Sequence, residues 1–310
     1  MWRAVLWVVL TIAVSLALGV FAERHHRERA SAAARRMLKV LLYGFTPPVA
    51  FLNIVGLELT ADVGGGIVIG WLALTLAGVL AWAFGRFVLG LRPPSHGVLV
   101  NISLQGNTNY LGLPLCAALL GTEHLPEAIA YDSFVQAPVF LLGVFGVAAA
   151  MGEKAGGTTG ERVRAFVFKN PVLLAVLAGL IAPASLAPAA LVDVSHAIVF
   201  LALPWGFFCA GVILAEHLER DRVVARPAIR APVGAAVVMR LVLAPLLLLL
   251  LAAPFIDLPA AYLLAAATPA GLNGLTVAHA YGLDLRYAAS SLAWTTGIGV
   301  AGMSALALAL

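Results

Sequence analysis

Long apolar runs, interrupted by charged residues and by glycine or proline, divide the chain into ten segments. They cover residues 2–21, 38–57, 63–85, 97–120, 128–150, 169–187, 191–215, 231–253, 259–280 and 286–310. Most are close to the length of about 20 residues that an α-helix needs to cross the hydrocarbon core of a bilayer. None alternates apolar and polar residues with the period of a barrel strand. The pattern therefore predicts an all-α polytopic membrane protein with ten transmembrane helices.

Composition supports this prediction and excludes several other classes. The 310 residues are 62% apolar and 11% charged, whereas soluble domains have about 45–50% apolar and about 25% charged residues. A soluble enzyme, a nucleic-acid-binding module, a disulfide-rich secreted domain and a disordered chain are therefore excluded. The two cysteines, Cys116 and Cys209, lie in apolar runs and are expected to pack as small residues. We predict no cofactor and no metal site.

The basic residues are concentrated in the five connections that follow the odd-numbered segments. These connections hold 17 of the 19 Lys and Arg residues. They are Arg24, Arg27, Arg29, Arg35, Arg36, Lys39, Arg86, Arg92, Lys154, Arg162, Arg164, Lys169, Arg220, Arg222, Arg226, Arg230 and Arg286. Since basic residues stay on the cytoplasmic side, both termini are predicted to face outward. The prevalence of Arg over Lys, with the alanine content, is typical of a GC-rich bacterial genome, so we expect the bacterial plasma membrane.

Five segments in each half of the chain imply that the second half is inverted relative to the first. We predict a first repeat at residues 1–150, a cytoplasmic linker at 151–168 and an inverted second repeat at 169–310. Inverted repeats are typical of secondary transporters, whose sites lie at mid-membrane where helices are interrupted.

Two matched interruptions occur in the fourth segment of each half. Residues 106–114 read GNTNYLGLP and residues 268–274 read TPAGLNG, and each stretch begins about nine residues into its segment. Nine helical residues span about 14 Å, which is half of a hydrocarbon core of about 30 Å. Both interruptions are therefore predicted to lie near the centre of the bilayer.

Proline removes a backbone donor and glycine permits a bend, so the interruptions free polar backbone groups. Such groups must line a buried or hydrated cavity, and the start of a half-helix favours a carboxylate there. The candidate substrate-binding residues are Asn107, Thr108, Asn109, Tyr110, Pro114, Pro269, Gly271 and Asn273. The alternative is that these glycines and prolines only kink two membrane helices.

Ionisable side chains inside a span are candidates for function because burying them is costly. Arg240 lies near the middle of the eighth segment, where it could bind an anionic substrate or pair with a protein carboxylate. Asp132 lies about one turn into the fifth segment and Gln136 one turn further. Asp132 could partner Arg240, bind a coupling proton or lie in the hydrated interface.

The stretch of residues 106–114 resembles the signature of the auxin efflux carrier family. Asn170-Pro171, Arg240 with Pro245, and residues 278–282 (AHAYG) add to the resemblance, which covers nearly the whole chain. It implies a fold of the sodium–proton antiporter and bile-acid symporter type, in which broken helices 4 and 9 cross. Helices 1, 2, 6 and 7 would form a scaffold, and helices 3–5 and 8–10 an elevator-like transport domain.

Asn109 departs from that pattern, since many relatives have glycine there, and the connection between the halves is short. The leading hypothesis is a secondary transporter of a small organic anion, either auxin-like or a mono- or dicarboxylate. The sequence leaves open a coupling proton, a coupling sodium ion or uniport, and also a homodimer.

The alternatives are a passive channel or non-transporting sensor of the same fold, and an intramembrane aspartyl protease. For the protease, Tyr131-Asp132 supplies half of the required pair and Asp284 only a fragment of the other half.

Overall fold

The computed structural model describes residues 2–55, 57–153, 160, 171–220 and 231–309, and these residues are almost entirely helical. The α-helices are α1 (Trp2–His26), α2 (Glu28–Val40), α3 (Thr46–Ile54), α4 (Ala61–Ala83), α5 (Pro93–Leu104), α6 (Leu113–Leu119), α7 (Leu125–Tyr131), α8 (Ala137–Val139), α9 (Phe145–Met151), α10 (Pro171–Ile181), α11 (Ala189–Arg220), α12 (Ala231–Val238), α13 (Ala244–Ala252), α14 (Ala260–Ala266), α15 (Asn273–Tyr281) and α16 (Leu285–Ala309). Six π-helical turns are π1 (Leu41–Phe45), π2 (Phe84–Val88), π3 (Thr108–Gly112), π4 (Asp132–Gln136), π5 (Phe140–Val144) and π6 (Met239–Leu243).

Six helical stretches of this described part are long and apolar enough to cross a membrane. They are Trp7–His26, Glu28–Ile54, Ala61–Val88, Thr122–Met151, Ala189–Glu216 and Ala231–Ala252. Large apolar side chains point outward from them, as Val68 at 61% exposure and Leu72 at 57% do on α4. A helix that is apolar on its outer face as well as inside is typical of a membrane span. The chain is therefore a multi-pass membrane protein, while the count of ten helices stays a prediction.

Of the remaining predicted segments, the fourth and ninth are interrupted and the sixth is short, whereas the tenth is the continuous helix α16 of 25 residues. Residues 97–120 and 259–280 are each divided between two helices, and α10 is an apolar helix of 11 residues. Of the predicted linker, residues 154–159 and 161–168 lie outside the described residues, as do Lys169, Arg222, Arg226 and Arg230.

The second span begins earlier than the apolar pattern predicts. Residues 28–54 form one continuous helical stretch made of α2, π1 and α3, whereas the sequence predicts a start at residue 38. The small residues Ala30 and Ala34 are buried and pack near Cys209 of α11. Alanine favours a helix, and the neighbouring basic side chains of Arg29, Arg35 and Arg36 remain exposed. Charge therefore marks the end of the apolar run but not the end of the helix.

The largest hydrophobic cluster joins the third to fifth and the eighth to tenth predicted segments. Its buried members include Leu74 of α4, Leu99 of α5, Leu248 of α13 and Tyr262 of α14. Buried residues of the first, second, sixth and seventh segments belong to three smaller clusters, in which they also contact α6, α7 and α14. The division into a scaffold and a transport domain stays a prediction.

Close backbone contact joins α1 to α11. A Cβ atom at Gly19 would overlap the carbonyl of Phe208, and a Cβ atom at Gly211 would overlap the carbonyl of Leu16. Small residues that let backbones approach are a common basis of helix association in membranes.

Candidate functional site

Two non-helical stretches meet in the middle of the fold. Residues 105–107 separate α5 from π3 and α6, and residues 267–272 separate α14 from α15. The two stretches pair in antiparallel orientation at Gly106 and Ala270. We call this pairing of residues 105–107 with 269–271 the bridge. It brings together the two predicted interruptions, which lie more than 160 residues apart in the sequence.

Backbone hydrogen bonds hold the bridge together. The amide of Asn107 donates to the carbonyl of Pro269 at 2.8 Å, and the amide of Gly271 donates to the carbonyl of Gln105 at 3.1 Å. Polar backbone groups released from a helix must find partners inside the hydrocarbon region. Here each interrupted stretch supplies partners for the other.

The first non-helical stretch is shorter than the motif predicts. Only residues 105–107 leave the helix, and the chain is helical again from Thr108 onward. Pro114 is the second residue of α6, which continues directly from π3, and its missing amide removes one donor from this helical stretch. The π-helical turn π3 comes directly before it, so the backbone accommodates the proline within a helical conformation.

Two side chains complete the hydrogen bonding of the bridge. Gln136 of π4 accepts from the amide of Gly106 at 3.2 Å and donates to the carbonyl of Leu104 at 3.0 Å. Thr295 of α16 accepts from the amide of Ala270 at 3.3 Å. The sequence suggested a charge or coupling role for Gln136. In the structure, its side-chain amide holds the backbone of residues 104 and 106 in position.

Arg240 lies behind the bridge, in π6, and its side chain is fully buried. Its Nε donates to the carbonyl of Thr268 at 2.8 Å, and its Nη2 donates to the carbonyl of Ala266 at 3.0 Å. Longer contacts of 3.4 Å reach the carbonyl of Ser103 and the hydroxyl of Thr268. A Cβ atom at Gly106 would overlap the guanidinium. These partners are backbone carbonyls and a hydroxyl, which differs from both partners that the sequence suggested.

Two helix C-termini and two helix N-termini meet around the bridge, and each carries a partial charge. Both α5 and α14 end there, and a helix C-terminus carries about half a negative elementary charge. The two ends together therefore match the single positive charge of Arg240. The chain becomes helical again at Thr108 and at Asn273. A helix start carries about half a positive charge, which favours an anion.

A cavity of about 450 Å³ adjoins the bridge. Its polar lining consists of Gln105, Gly106, Asn107, Thr108, Asn109, Tyr110, Asp132, Ser133, Gln136, Gly271 and Asn273. Its apolar lining consists of Leu42, Tyr43, Ala137, Phe140, Leu141, Phe145, Pro171, Val172, Leu173 and Leu272. Six of the eight predicted substrate-binding residues therefore share one cavity with Asp132 and Gln136. Its size and its mixture of apolar walls with a few polar groups are typical of a small-molecule site.

Two predicted substrate-binding residues, Pro114 and Pro269, are not among the lining residues. Pro114 is buried within α6, and Pro269 packs close to Gly299 of α16. The carbonyl of Pro269 accepts the hydrogen bond from Asn107. Both prolines therefore shape the backbone around the cavity without facing it.

The π-helical turns are concentrated at the cavity. π1, π3, π4 and π5 contribute to its wall, and π6 carries Arg240. A π-helical turn inserts one extra residue and rotates the side chains that follow it, and such turns occur often at functional sites. No feature of the sequence predicted them.

Asp132 is the charged side chain among the described residues that line the cavity. Its carboxylate accepts a hydrogen bond from the hydroxyl of Thr108, the first residue of π3. Tyr110, two residues further, packs its ring toward Gly206 of α11, where a Cβ atom would lie 3.0 Å from that ring. The polar wall is therefore acidic in its side chains, and its positive character comes from backbone amides.

Several residues that line the cavity were not predicted from the sequence. Gln105 directly precedes the motif, and its Oε1 is buried without a partner in the described structure, as is the hydroxyl of Ser133. Phe140 and Phe145 form part of the apolar wall. The position of Gln105 beside the motif was a usable signal, whereas the aromatic residues are brought to the cavity only by packing. Within the described residues, no three His, Cys, Asp or Glu side chains are grouped to hold a metal ion.

Comparison with known proteins connects the chain to membrane transport. Residues 160–304 match the family described as membrane transport protein. An uncharacterized transporter of Methanocaldococcus jannaschii is 28% identical over 145 residues, which is 46% of this chain. The matched part covers 44% of that relative. Both matches support the assignment that the motif at residues 106–114 indicates.

Proposed function

We propose that the chain is a member of the auxin efflux carrier family and a secondary transporter of a small organic anion. The substrate is an auxin-like acid or another mono- or dicarboxylate, carried across the bacterial plasma membrane. The observation that carries this proposal is the bridge between two non-helical stretches beside a cavity of about 450 Å³. Two helix starts, at Thr108 and Asn273, lie in the wall of that cavity, and helix starts favour a carboxylate.

The proposed architecture has ten helices in two inverted repeats, residues 1–150 and 169–310. The pairs α5–α6 and α14–α15 are the broken fourth and ninth helices, which cross at the bridge. The division of the hydrophobic clusters supports a scaffold of helices 1, 2, 6 and 7 and an elevator-like transport domain of helices 3–5 and 8–10. Alternating access then moves the bridge and its bound anion relative to the scaffold.

The proposed state of this structure is open to the cytoplasm. The cavity contacts Phe145 at the start of α9 and Pro171 at the start of α10, which flank the predicted cytoplasmic linker. On the other side of Asn109, two small voids of about 10 and 20 Å³ lie between α3 and the following helices. Leu113 and Val49 line both voids and close that route.

Transport by purified protein in proteoliposomes tests the proposal. The probes are radiolabelled indole-3-acetate, malonate and malate, and the variants are Asn107→Ala and Asn273→Ala. Asn101→Ala is the matched control, because Asn101 is buried on α5 and does not line the cavity. We expect saturable flux that is stimulated by substrate on the opposite side, lost in both cavity variants and retained in the control. Unchanged flux in the two cavity variants would refute the site.

The same assay separates the alternatives. A passive channel would show flux without saturation or stimulation from the opposite side, and a sensor would show binding without flux. The protease hypothesis is wrong, because the family is one of transport proteins rather than enzymes. Its two aspartates also have separate partners: Asp132 accepts from Thr108, whereas Asp284 accepts from the hydroxyl of Ser95 at 2.8 Å.

A further inference from the structure

We propose that Asp132 takes up a proton when an anion binds in the cavity, so that each monovalent anion is transported with one proton. This inference rests on the proposed transport function and extends it by naming the coupling ion and the residue that carries it. It depends on the charges around the bridge and on the place that the Asp132 carboxylate occupies.

The charges on the two sides of the bridge are balanced separately. Behind it, Arg240 contacts carbonyls at the ends of α5 and α14, whose partial charges together match the guanidinium. On the cavity side, the two helix starts contribute about one positive charge in total. Asp132 supplies one negative charge there. The empty cavity is therefore close to neutral when Asp132 is ionised.

The carboxylate of Asp132 already occupies the position that favours an anion. It accepts the hydroxyl proton of Thr108, the residue at which the first helix start begins. An anion bound at the same helix start would bring a second negative charge into a low-dielectric site. Two carboxylates that share such a site do not both stay ionised, and one of them takes up a proton. Because the substrate arrives from water as an anion, Asp132 is the group that we expect to be protonated.

Among the described residues, the elements packed against Asp132 offer no other charge to compensate the anion. The elements packed against π4 are π3, α4, α7, α8 and α10. Their titratable side chains are Tyr110 on π3, Asp62 on α4, and Glu127 and Tyr131 on α7. None of these is a cation, and the guanidinium of Arg240 is occupied by carbonyls on the other side of the bridge.

Two unpartnered groups of the wall can form hydrogen bonds with a bound ligand. The Oε1 of Gln105 is an acceptor, and the hydroxyl of Ser133 can donate or accept; both are buried without partners in the described structure. A protonated Asp132 provides a further donor for the substrate carboxylate. The site thus binds one carboxylate and one proton together, and a dicarboxylate would require a second proton.

Proton movement in proteoliposomes tests the inference. Purified protein is reconstituted with a pH-sensitive dye inside the vesicles, and indole-3-acetate, malonate or a sodium gradient is applied in separate experiments. We expect one proton to move with each indole-3-acetate. At neutral pH, indole-3-acetate should be transported faster than malonate. Neither transport rate should depend on sodium. In Asp132→Asn, the number of protons moved for each indole-3-acetate transported should fall from one to zero, whatever rate of transport remains. Asp193→Asn, on the exposed start of α11, is the matched control and should keep coupled transport.

A binding measurement makes the test independent of any variant. Calorimetry of indole-3-acetate binding to the wild-type protein, in buffers with different ionisation enthalpies, reports the protons taken up on binding, and we expect one. Anion flux in the wild type without protons, or undiminished proton movement in Asp132→Asn, would overturn the inference. Absence of flux for every probe would instead count against the proposed transport function.

Discussion

Replacement of Arg240 is predicted to destabilise the bridge itself rather than to weaken substrate binding alone. In Arg240→Ala, the carbonyls of Thr268 and Ala266 lose hydrogen bonds of 2.8 and 3.0 Å from a charged donor. In Arg240→Met, the volume of the side chain is largely kept, but the same carbonyls are left without their donor. Both carbonyls are in a buried part of the described structure, where water cannot easily replace the guanidinium.

The size of the effect follows from these contacts. A hydrogen bond to a charged group contributes about 1.5–3 kcal/mol, so two such bonds give a loss of about 3–6 kcal/mol. The two contacts of 3.4 Å are long and are not counted. A change of 1 kcal/mol lowers the unfolding midpoint by about 2–4 °C for a chain of 150–250 residues. We therefore expect a decrease of about 6 °C or more.

The assay is the midpoint of thermal unfolding in detergent, followed by size-exclusion chromatography of the protein that remains folded. Arg240→Ala and Arg240→Met should both show the decrease. Arg240→Lys should lie between them and the wild type, because an ammonium keeps the charge but lacks the planar fork of donors. Arg286→Ala is the control, since Arg286 is an exposed residue at the start of α16. The reasoning is refuted if Arg240→Met is as stable as the wild type and loses only substrate binding.

The other predictions concern backbone approach and the side chains that replace lost backbone bonds. Gly106→Ala would place a Cβ atom on the guanidinium of Arg240 and should destabilise the protein by about 1–3 kcal/mol, measured by thermal unfolding. Gly297→Ala is the control and should leave the stability unchanged, because the space around Gly297 is open. Gln136→Leu removes the partner of two buried backbone groups and should cost about 2–6 kcal/mol, measured in the same way. Gly211→Ala should separate α1 from α11, lowering stability while leaving the affinity for indole-3-acetate unchanged in a binding assay.

The sequence predicted the features of the fold that depend on local composition. Apolar runs gave the membrane helices, and the glycine, proline and asparagine residues of 106–114 and 268–274 gave the position of the two non-helical stretches. These signals are local, because a proline or glycine acts on its own turn of the helix. The same two stretches contain most of the polar residues that line the cavity, including Asn107, Thr108 and Asn273.

The remaining features depend on contacts between distant segments. The carbonyl partners of Arg240 lie 26 to 137 residues away, and nothing near Arg240 in the sequence indicates them. The role of Gln136 exists only because the fifth segment packs beside residues 104–106. The second span extends back to Glu28 because small residues pack against α11, although basic residues precede and follow them. The apolar wall, with Phe140 and Phe145, likewise forms only in the folded chain.

A density map of the protein in lipid nanodiscs with indole-3-acetate bound tests the central claim most directly. The account predicts that residues 105–107 and 267–272 are non-helical and paired. It also predicts that the carboxylate of the ligand lies at the two helix starts, beside Asn107 and Asn273. Two continuous helices through these residues, or a ligand bound outside the cavity, would contradict it.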